Sequence, residues 1–445
     1  MSAVSEEKDT YRAGFERFAL SPAAASEPAW LRERRTAAFA RFVARGLPTP
    51  RDEAWRHTPI APLTRARLAD ADPAARPSAE VLGRLARAEG PRLTFVNGVL
   101  ARELSEPGPF PGLELLGLRD ALKARPASLE PWLARVTRDA SAFAELNAAL
   151  AHDAAVVLVA PGAAPPQPIR IEHVGAGDAP RASYARTLVV AGRGSQSRIV
   201  ESYASPAGRA SLTNAVTELA LEEGARVERC KLQQEGDEAL HAASLAVSVG
   251  RDASFTDHAL TLGASLSRDD IEVRLDGEGA SCELEGLFLV DGRRVADTHS
   301  RIDHVKPHGT SRELYKGILD GQARGVFNGL VIVRAGAQKT DAWQMNRNLL
   351  LSREALVHST PQLEILANDV KCKHGSTTGQ LDPTALFYLR SRGIGEAAAR
   401  GLLTWAFAND VVRRVPDAAA RGAVERRLQA SLPGAAGIEL MEAAS

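Results

Sequence analysis

Residues 215–232 read AVTELALEEGARVERCKL, and this stretch indicates the fold of the chain. Apolar and polar residues alternate over 215–221 and again over 226–232, which is typical of β-strands with one buried face. The small-residue turn Gly224-Ala225 separates the two runs. The stretch therefore predicts two short strands joined by a tight turn.

The same pattern continues on both sides of this stretch. Further turns of this kind lie at Gly194-Ser195, Asp252-Ala253 and Gly279-Ala280. The turns recur about every 27 to 30 residues, an interval that is typical of repeat architectures. Two strands in each interval, without a crossover helix, favour a parallel β-helix (β-solenoid), in which small aliphatic side chains of each turn pack against the next. Glycine within the strands is also compatible with a β-sandwich, so this alternative stays open.

Helical patterns flank the β-rich part. Tyr11, Phe15 and Phe18 share one face of a predicted N-terminal helix, and Asn97-Gly98 indicates a hairpin further along. The chain is therefore predicted to be mainly β, with a parallel β-helix core between helical regions. The predicted divisions are a mainly helical N-terminal region over 1–150, the β-helix core over 151–383 and a C-terminal helical domain over 384–445.

Two amphipathic stripes follow the β-rich part. The first ends at Pro416 and the second at Pro433, because proline interrupts a helix. The first stripe consists of Ala399, Leu402, Leu403, Ala406, Phe407 and Val411, and the second of Ala420, Val424, Leu428 and Leu432. Such helices could cap the last turn of the β-helix or offer an apolar face to another protein.

Composition and motifs exclude several classes of protein. The 55 basic residues balance the 55 acidic ones among 445 residues, so no excess charge favours nucleic acid or an acidic membrane as a partner. No apolar run approaches the roughly 18 residues of a membrane span, and we expect no signal peptide in the first ten residues. The chain lacks a GxxxxGK[ST] loop, so we expect no ATP binding by that route. Three widely spaced cysteines suit a reducing compartment, which favours the cytoplasm.

The most informative polar segment is EILANDVKCKHGSTTGQ, residues 364–380. Cys372 and His374 are two residues apart, so both side chains would project from the same face of a strand. A thiolate and an imidazole form a mixed ligand pair that suits iron, zinc or sulfane sulfur. We expect Lys371 and Lys373 to favour the thiolate, although they point to the opposite face. The structural alternative is a buried cysteine beside a histidine that bonds to a carbonyl group, because two ligands do not complete a metal site.

The other histidines and cysteines are interpreted as structural. We expect solvent-exposed loops for the histidines of THSRIDHVKPHGTS, whereas His358 could lie on a strand adjacent to that of His374. The loop histidines are His299, His304 and His308. Cys230 and Cys282 occur within strand-like runs, where a small core residue is the usual role.

Long segments towards the C-terminus are similar to a known family. These segments are VFNGLVIVRAGAQKTDAWQMNRNLLLS (Val326–Ser352), PQLEILANDVKCKHGSTTGQLD (Pro361–Asp382) and LFYLRSRGI (Leu386–Ile394). Together with GLPTPRDEAWRHT near the N-terminus, they closely resemble the SufB/SufD family of iron–sulfur cluster assembly proteins. The resemblance covers most of the chain and is strongest over 287–412. It implies a β-helix core between helical regions.

Within this family the chain resembles the SufD branch rather than the SufB branch. SufB typically reads EHEATTSKI where this chain reads KHGSTTGQL (Lys373–Leu381). SufB also carries a sulfur-accepting cysteine where we align Asn346, and a second cysteine where this chain has Leu389. The missing thiols imply that this chain is not the primary persulfide acceptor.

The resemblance implies a non-catalytic scaffold subunit of a SufBCD complex in the cytoplasm. SufB would pair with this chain through the two β-helices, and the cluster would be transient and shared with SufB. His374 and Cys372 would be the iron or cluster ligands on this side. The complex would receive sulfur indirectly from a cysteine desulfurase system and could use reduced flavin, whereas this chain would bind no ATP.

The resemblance also implies a second partner at the C-terminal helices. SufC, the ATPase of the complex, would bind there and would control the interface between this chain and SufB. The residues expected to face SufC are Leu402, Leu403, Ala406, Phe407 and Val411.

Two other functions remain compatible with the sequence. The chain could be a purely structural partner of SufB without ligands of its own. It could instead be a carbohydrate-active β-helix enzyme, which would need a carboxylate-lined groove. When no partner is present, a homodimer could form through an exposed edge of the β-helix.

Overall fold

The structure, a computed structural model, describes residues 3–65, 72, 74–137 and 141–431. Within these residues, two long sheets face each other. The nine strands of sheet A follow one another in chain order: β3 (Leu113–Gly117), β4 (Ala155–Val159), β6 (Arg181–Ala191), β8 (Ser211–Leu221), β10 (Ala239–Val249), β12 (Leu266–Leu275), β14 (Val295–His304), β16 (Arg324–Val333) and β18 (Leu356–Ile365). The ten strands of sheet B are, from one edge to the other, β2 (Val99–Leu100), β1 (Arg92–Val96), β5 (Ile169–Val174), β7 (Gln196–Ala204), β9 (Arg226–Gln234), β11 (Ser254–Thr261), β13 (Ser281–Val290), β15 (Thr310–Leu319), β17 (Asp341–Leu350) and β19 (Lys371–Gly379).

The chain alternates between the two sheets, so each turn of the coil contributes one strand to sheet A and one to sheet B. From β4 onwards, neighbouring strands within each sheet are parallel. The result is a parallel β-solenoid of about eight turns with helices at both ends of the chain, which confirms the predicted fold class. The β-sandwich alternative was wrong, because a sandwich of this kind is built from antiparallel strands.

Successive turns stack in register, and this places like side chains on top of one another. One ladder inside sheet A consists of Leu219, Val247, Val273, Ile302 and Val331, each on the Cα partner of the one before. All five side chains are buried. Each aliphatic residue packs on its equivalent in the next turn, as the predicted β-helix requires.

The turns predicted from small residues take the left-handed backbone conformation. Gly194, Gly224 and Gly279 have φ values of 66°, 69° and 69°, and Asp252 occupies the equivalent place with φ 52°. Glycine tolerates this conformation without strain, and aspartate is one of the few other residues that adopts it readily. The repeated turn therefore fixes the spacing of the coil.

Charged side chains fill part of the interior of the β-helix, contrary to the expectation of strands with one solvated face. Arg229 is almost fully buried, and its guanidinium donates hydrogen bonds to the carboxylates of Glu201 and Asp257. Lys231 is likewise buried and pairs with Asp269. Alternation shows which residues share a face, but both faces are covered here, so it could not show that the charged face points inwards.

Most of the helices lie before the β-helix. They are α1 (Ala3–Ala19), α2 (Pro22–Ala25), α3 (Ala29–Arg45), α4 (Ala61–Arg65), α5 (Ala79–Gly83), α6 (Leu118–Ala124), α7 (Pro126–Leu129) and α8 (Ala142–Leu150). The rings of Phe15 and Phe39 stack at 4.3 Å between centroids and join α1 to α3, which packs on α8. The predicted hairpin joins β1 to β2 through Asn97 and Gly98, both with positive φ.

The remaining helices follow β19: α9 (Pro383–Ser391), α10 (Glu396–Val412) and α11 (Ala418–Ser431). They do not cap the last turn. Instead, Trp405, Val411 and Val424 pack on apolar residues of the outer face of sheet B, such as Leu232 and Leu287. This face is apolar, so the helices run back along it, and the strands of the last turn stay exposed or half-buried. Leu432 and Pro433, predicted to end the last helix, lie outside the described residues. Among the described residues, no helix is long and apolar enough to cross a bilayer.

Candidate functional site at the last turn of the β-helix

The last turn of the coil consists of β18 and β19, and it differs from every other turn in exposure. Each of these strands ends its sheet, so within the described residues no further strand pairs with its outer edge. All residues of β18 and β19 are exposed or half-buried, whereas those of the inner strands are mostly buried. The last turn therefore presents unpaired backbone groups and inward-facing side chains to solvent.

Cys372 and His374 lie on β19 and share its inward face, as their spacing predicts. In the register with β17, Cys372 lies over Ala342 and His374 lies over Gln344, both of which are buried inside the coil. Cys372 is half-buried against the aliphatic core, whereas His374 is exposed. Because no further turn covers them, residues on an inward face become accessible at this end.

The thiol of Cys372 does not have the environment that its neighbouring lysines suggested. Partial burial raises its pKa, and the Asp341 carboxylate adds to the rise, although a backbone hydrogen bond with Ala342 opposes it. Lys371 and Lys373 point away from the coil and do not reverse this effect. The free chain therefore favours the protonated form of Cys372, and metal binding would have to release this proton.

A chain of polar side chains crosses the last turn beside His374, and sequence reasoning did not predict it. The Ser376 hydroxyl donates to the Ser359 hydroxyl (2.8 Å), and Ser359 donates to Oδ1 of Asn346 (2.7 Å). Asn348 donates to the same oxygen (2.6 Å). These bonds join β19, β18 and β17, so they hold the two strands of the open turn together. In the sequence, the alternation in KCKHGSTTG (Lys371–Gly379) is the feature that could have indicated these polar contacts.

The predicted loop histidines are mostly strand residues. His304 ends β14 and is fully buried, with Nε2 2.9 Å from the Ser311 hydroxyl, and burial lowers its pKa to about 4. His299, also on β14, lies 3.1 Å from an Asp297 carboxylate oxygen. The expectation of solvent exposure was wrong for both, because the strand runs further than its apolar residues indicated. Only His308, in the following turn, is exposed.

His358 lies on the outer face of β18, in the sheet opposite to that of His374. Its ring stacks on that of His57 with 3.9 Å between centroids, so an N-terminal segment reaches the last turn. Its strand adjoins that of His374 in the last turn, as expected, but the two strands belong to different sheets.

Metal-ligand residue types do not converge elsewhere in the part of the chain that the structure describes: no three His, Cys, Asp or Glu side chains are placed to hold a metal ion. Cys230 and Cys282 are buried, and burial raises the pKa of both thiols, in agreement with their predicted core role. Cys372 and His374 are therefore the accessible thiol and imidazole that the last turn combines.

The stripe predicted to face a partner divides into buried and accessible residues. Val411 is fully buried against sheet B, so it cannot contact a partner in this arrangement and departs from the prediction. Leu402, Leu403 and Phe407 are half-buried, and Ala406 is exposed. Sequence periodicity identified the helix correctly, but it could not tell which side packs on the outer face of sheet B.

Two exposed aromatic residues adjoin this stripe. Phe387 and Tyr388 of α9 are 72% and 56% exposed, and α9 packs on α10. They enlarge the apolar surface of the C-terminal helices, and an exposed apolar surface of this kind marks an interaction site more often than a single exposed residue does. In the sequence, the adjacent aromatic residues of LFYLRS (Leu386–Ser391) are the feature that could have indicated this surface.

Polar contacts fix α10 on the β-helix. The buried Lys316 of β15 donates from Nζ to the Phe407 carbonyl oxygen (2.8 Å) and to an Asp410 carboxylate oxygen (2.6 Å). Burial lowers the pKa of Lys316, although Asp410 opposes this effect. Lys316 also lies over the ring of Phe407, with Nζ 4.4 Å from its centroid.

An ion-pair network lies near the end of the same helix. The His258 ring lies 3.1 Å from Glu228 and 3.3 Å from Glu285, and Arg414 donates to Glu285 (2.5 Å). Burial alone would lower the pKa of His258, but hydrogen bonds with the two glutamates outweigh it and raise the pKa to about 9. The network thus couples a charged histidine to the C-terminal region.

The fold and the site define a class of protein: a parallel β-helix flanked by helical regions, with an open last turn that carries an accessible imidazole and thiol. Residues 173–407 match the family described as SUF system FeS cluster assembly, SufBD core domain, and residues 7–171 match the SufBD protein N-terminal region.

Two similar proteins agree with this match. An iron-sulfur cluster assembly SufBD family protein of Synechocystis sp. is 34% identical over 390 residues, which cover 84% of this chain and 85% of that protein. The iron-sulfur cluster assembly protein SufD of Escherichia coli is 30% identical over 395 residues, which cover 88% of this chain and 90% of SufD. The chain therefore belongs to the SufB/SufD family of iron–sulfur cluster assembly proteins and is close to SufD, as its sequence motifs predicted.

Proposed function

We propose that this chain is the SufD-like scaffold subunit of a SufBCD complex and that it holds iron or a nascent iron–sulfur cluster together with SufB. The observation that carries the proposal is the open last turn, where His374 is exposed and Cys372 lies two residues away on the same face. Within this family of assembly proteins, an accessible imidazole and thiol at an unpaired strand end have an evident use as ligands.

Pairing with SufB would use the edges of β18 and β19. Both edges offer a row of backbone donors and acceptors, and natural proteins seldom leave long edges without cover. A sister β-helix could continue both sheets by strand addition, which would bring a second chain's ligands beside His374. In the absence of SufB, the same edges would support a homodimer of this chain.

The cluster is the cargo of this site, and this chain would supply only part of its ligands. A neutral imidazole can bind iron directly, whereas the Cys372 thiol must first lose its proton. Because His374 is exposed whereas Cys372 is half-buried, His374 is the better first ligand, and iron bound there would favour release of the thiol proton. Other ligands would come from SufB.

The C-terminal helices would bind the SufC ATPase through their accessible apolar residues. We propose Leu402, Leu403 and Ala406 of α10 as contacts, with Phe387 and Tyr388 of α9 extending the surface. ATP would be bound and hydrolysed on SufC, so this chain would act in the cytoplasm as a non-catalytic subunit. The divisions 1–150, 151–383 and 384–445 would then correspond to N-terminal, scaffold and SufC-binding units.

The proposal is tested with His374→Ala in the purified SufBCD complex. We expect the complex to assemble normally and its iron and acid-labile sulfide content to fall several-fold, because a cluster ligand is lost. Lys373→Ala is the matched control, since Lys373 is exposed on the same strand but points outwards. Equal cluster content in the His374 variant and the control would contradict the ligand role.

A purely structural role makes the opposite prediction for the double variant Cys372→Ala/His374→Ala, which would then retain its full cluster content.

Contact with SufC is tested separately with Ala406→Glu, because Ala406 is exposed and its substitution leaves the packing on sheet B intact. We expect this variant to lose SufC in co-purification, whereas Arg413→Glu, at the end of the same helix, should retain it. Retention of SufC by both variants would remove α10 from the proposed interface.

A further inference from the structure

A cavity lined by several arginines lies far along the coil from the last turn. It has a volume of about 410 Å³ and lies where the turns that connect sheet B to sheet A stack against α5 and α11. Four arginines from three separate parts of the chain line it: Arg84 at the end of α5, Arg294 in the turn after β13, and Arg426 and Arg427 of α11. Arginines so far apart in sequence meet here only because the chain is folded.

Two of the cavity arginines form ion pairs with nearby carboxylates. Glu80 pairs with Arg84 (2.6 Å) and Asp291 pairs with Arg294, but both carboxylates are much more exposed than the guanidinium groups they meet. Partly exposed ion pairs of this kind are weak, so an incoming anion can compete with these carboxylates for the arginines. Arg426 has no ion pair with any residue that the structure describes.

Two acidic residues line the cavity directly. Glu235 is buried and is paired with His241, whose Nδ1 lies 2.7 Å away. Asp237 accepts a hydrogen bond from the Gly208 backbone nitrogen (2.7 Å), and this bond, together with Arg294, keeps the pKa of Asp237 low. Among the described residues that line the cavity, Asp237 is thus the acidic side chain that stays exposed beside the arginines.

The arginines are close enough to repel one another. Burial lowers the pKa of Arg427, and the positive charges of Arg294 and Arg84 lower it further, although Asp291 opposes them. Nε of Arg427 donates to the Leu262 carbonyl oxygen (3.3 Å), which holds the side chain along the cavity wall. An anion placed among these guanidinium groups would relieve their repulsion.

We propose that this cavity binds a small molecule through a phosphate or pyrophosphate group. Arginine presents several donors in a plane and bonds to phosphate oxygens in pairs, so arginines converging from three elements suit a group with several oxygens on one centre. The volume lies in the range of small-molecule sites and leaves room for more than a single phosphate. The site is independent of His374 and of the proposed cluster function.

The test measures binding of pyrophosphate, inorganic phosphate and AMP to the full-length chain by isothermal titration calorimetry. We expect saturable pyrophosphate binding that weakens with added salt, and about tenfold weaker binding in each of Arg294→Gln and Arg426→Gln. Arg413→Gln is the matched control, because this exposed arginine lies near α11 but outside the cavity. AMP binding tighter than phosphate identifies a nucleotide-like ligand, whereas equal affinities identify the phosphate group alone; both outcomes support the site.

A second measurement separates loss of the site from loss of the fold. Phenylglyoxal modifies accessible arginines, and pyrophosphate should protect Arg426 and Arg427 in the wild-type chain while leaving Arg413 reactive. The thermal midpoint of Arg426→Gln should stay close to that of the wild type, because Arg426 is exposed. The absence of saturable binding for all three probes, or unchanged binding in both cavity variants, would overturn the proposal.

Discussion

Replacement of Lys316 by methionine should loosen the C-terminal helices without unfolding the β-helix. Lys316 is buried on β15, and its ammonium group bonds to the Phe407 carbonyl oxygen and to the carboxylate of Asp410. Methionine keeps most of the volume of the stem but removes all three donors. The change therefore tests the polar contact between the coil and α10 rather than its packing.

The magnitude follows from the two hydrogen bonds. A bond from a charged donor contributes about 1.5–3 kcal/mol, and this range applies to the bond with the Phe407 carbonyl group. Asp410 is 46% exposed, so its ion pair adds at most about 1 kcal/mol. Removing a buried ammonium group recovers part of its desolvation cost. We expect local opening of α10 to become easier by about 2 kcal/mol, or about 30-fold.

Amide hydrogen exchange measures this opening directly. Amides of α10 should lose about 30-fold protection in Lys316→Met, whereas those of α3, in the N-terminal region, should exchange as in the wild type. Lys371→Met, at an exposed lysine of β19, is the control for loss of one positive charge. If protection of α10 is unchanged in a folded Lys316→Met variant, the contact does not hold the helix and the reasoning fails.

Two further predictions concern the stability of the coil. In Gly286→Ala, the added Cβ would clash with the buried ring of Tyr315 in the next turn, so we expect a loss of about 1–3 kcal/mol in urea unfolding. Gly336→Ala, with open space around it, should be near neutral, and equal effects of the two substitutions would contradict the close-packing argument. Because the pKa of His258 is raised to about 9, the protonated ring should stabilise the fold by on the order of 2–3 kcal/mol. This stabilisation is fully present below about pH 6.5 and is lost as pH rises through about 9. His258→Gln should remove this pH dependence and His308→Asn should not; the same alkaline slope in both variants would show that another group causes it.

The sequence by itself determined the repeating unit and much of the site. The alternation on either side of Gly224-Ala225 and the recurrence of such turns specified two strands per turn of coil, because each small-residue turn reverses the chain at the same place. The spacing of Cys372 and His374 specified that they share a strand face. The motifs around them specified the SufB/SufD family, which the matches over 7–171 and 173–407 confirm.

Only the tertiary structure decided which faces are inside and what covers them. Alternation assigned Arg229 to one face of its strand but could not show that this face points into the coil. A buried charge is compatible with folding only when it has partners, and the partner Glu201 comes from another turn, which local alternation does not reveal. The same limit applies to Val411, which packs on sheet B instead of facing a partner. His374 is accessible for a related reason: its side chain points inwards like its buried equivalents, and it is exposed because the coil ends there. Burial depends on contacts between residues distant in sequence, and local periodicity carries no information about them.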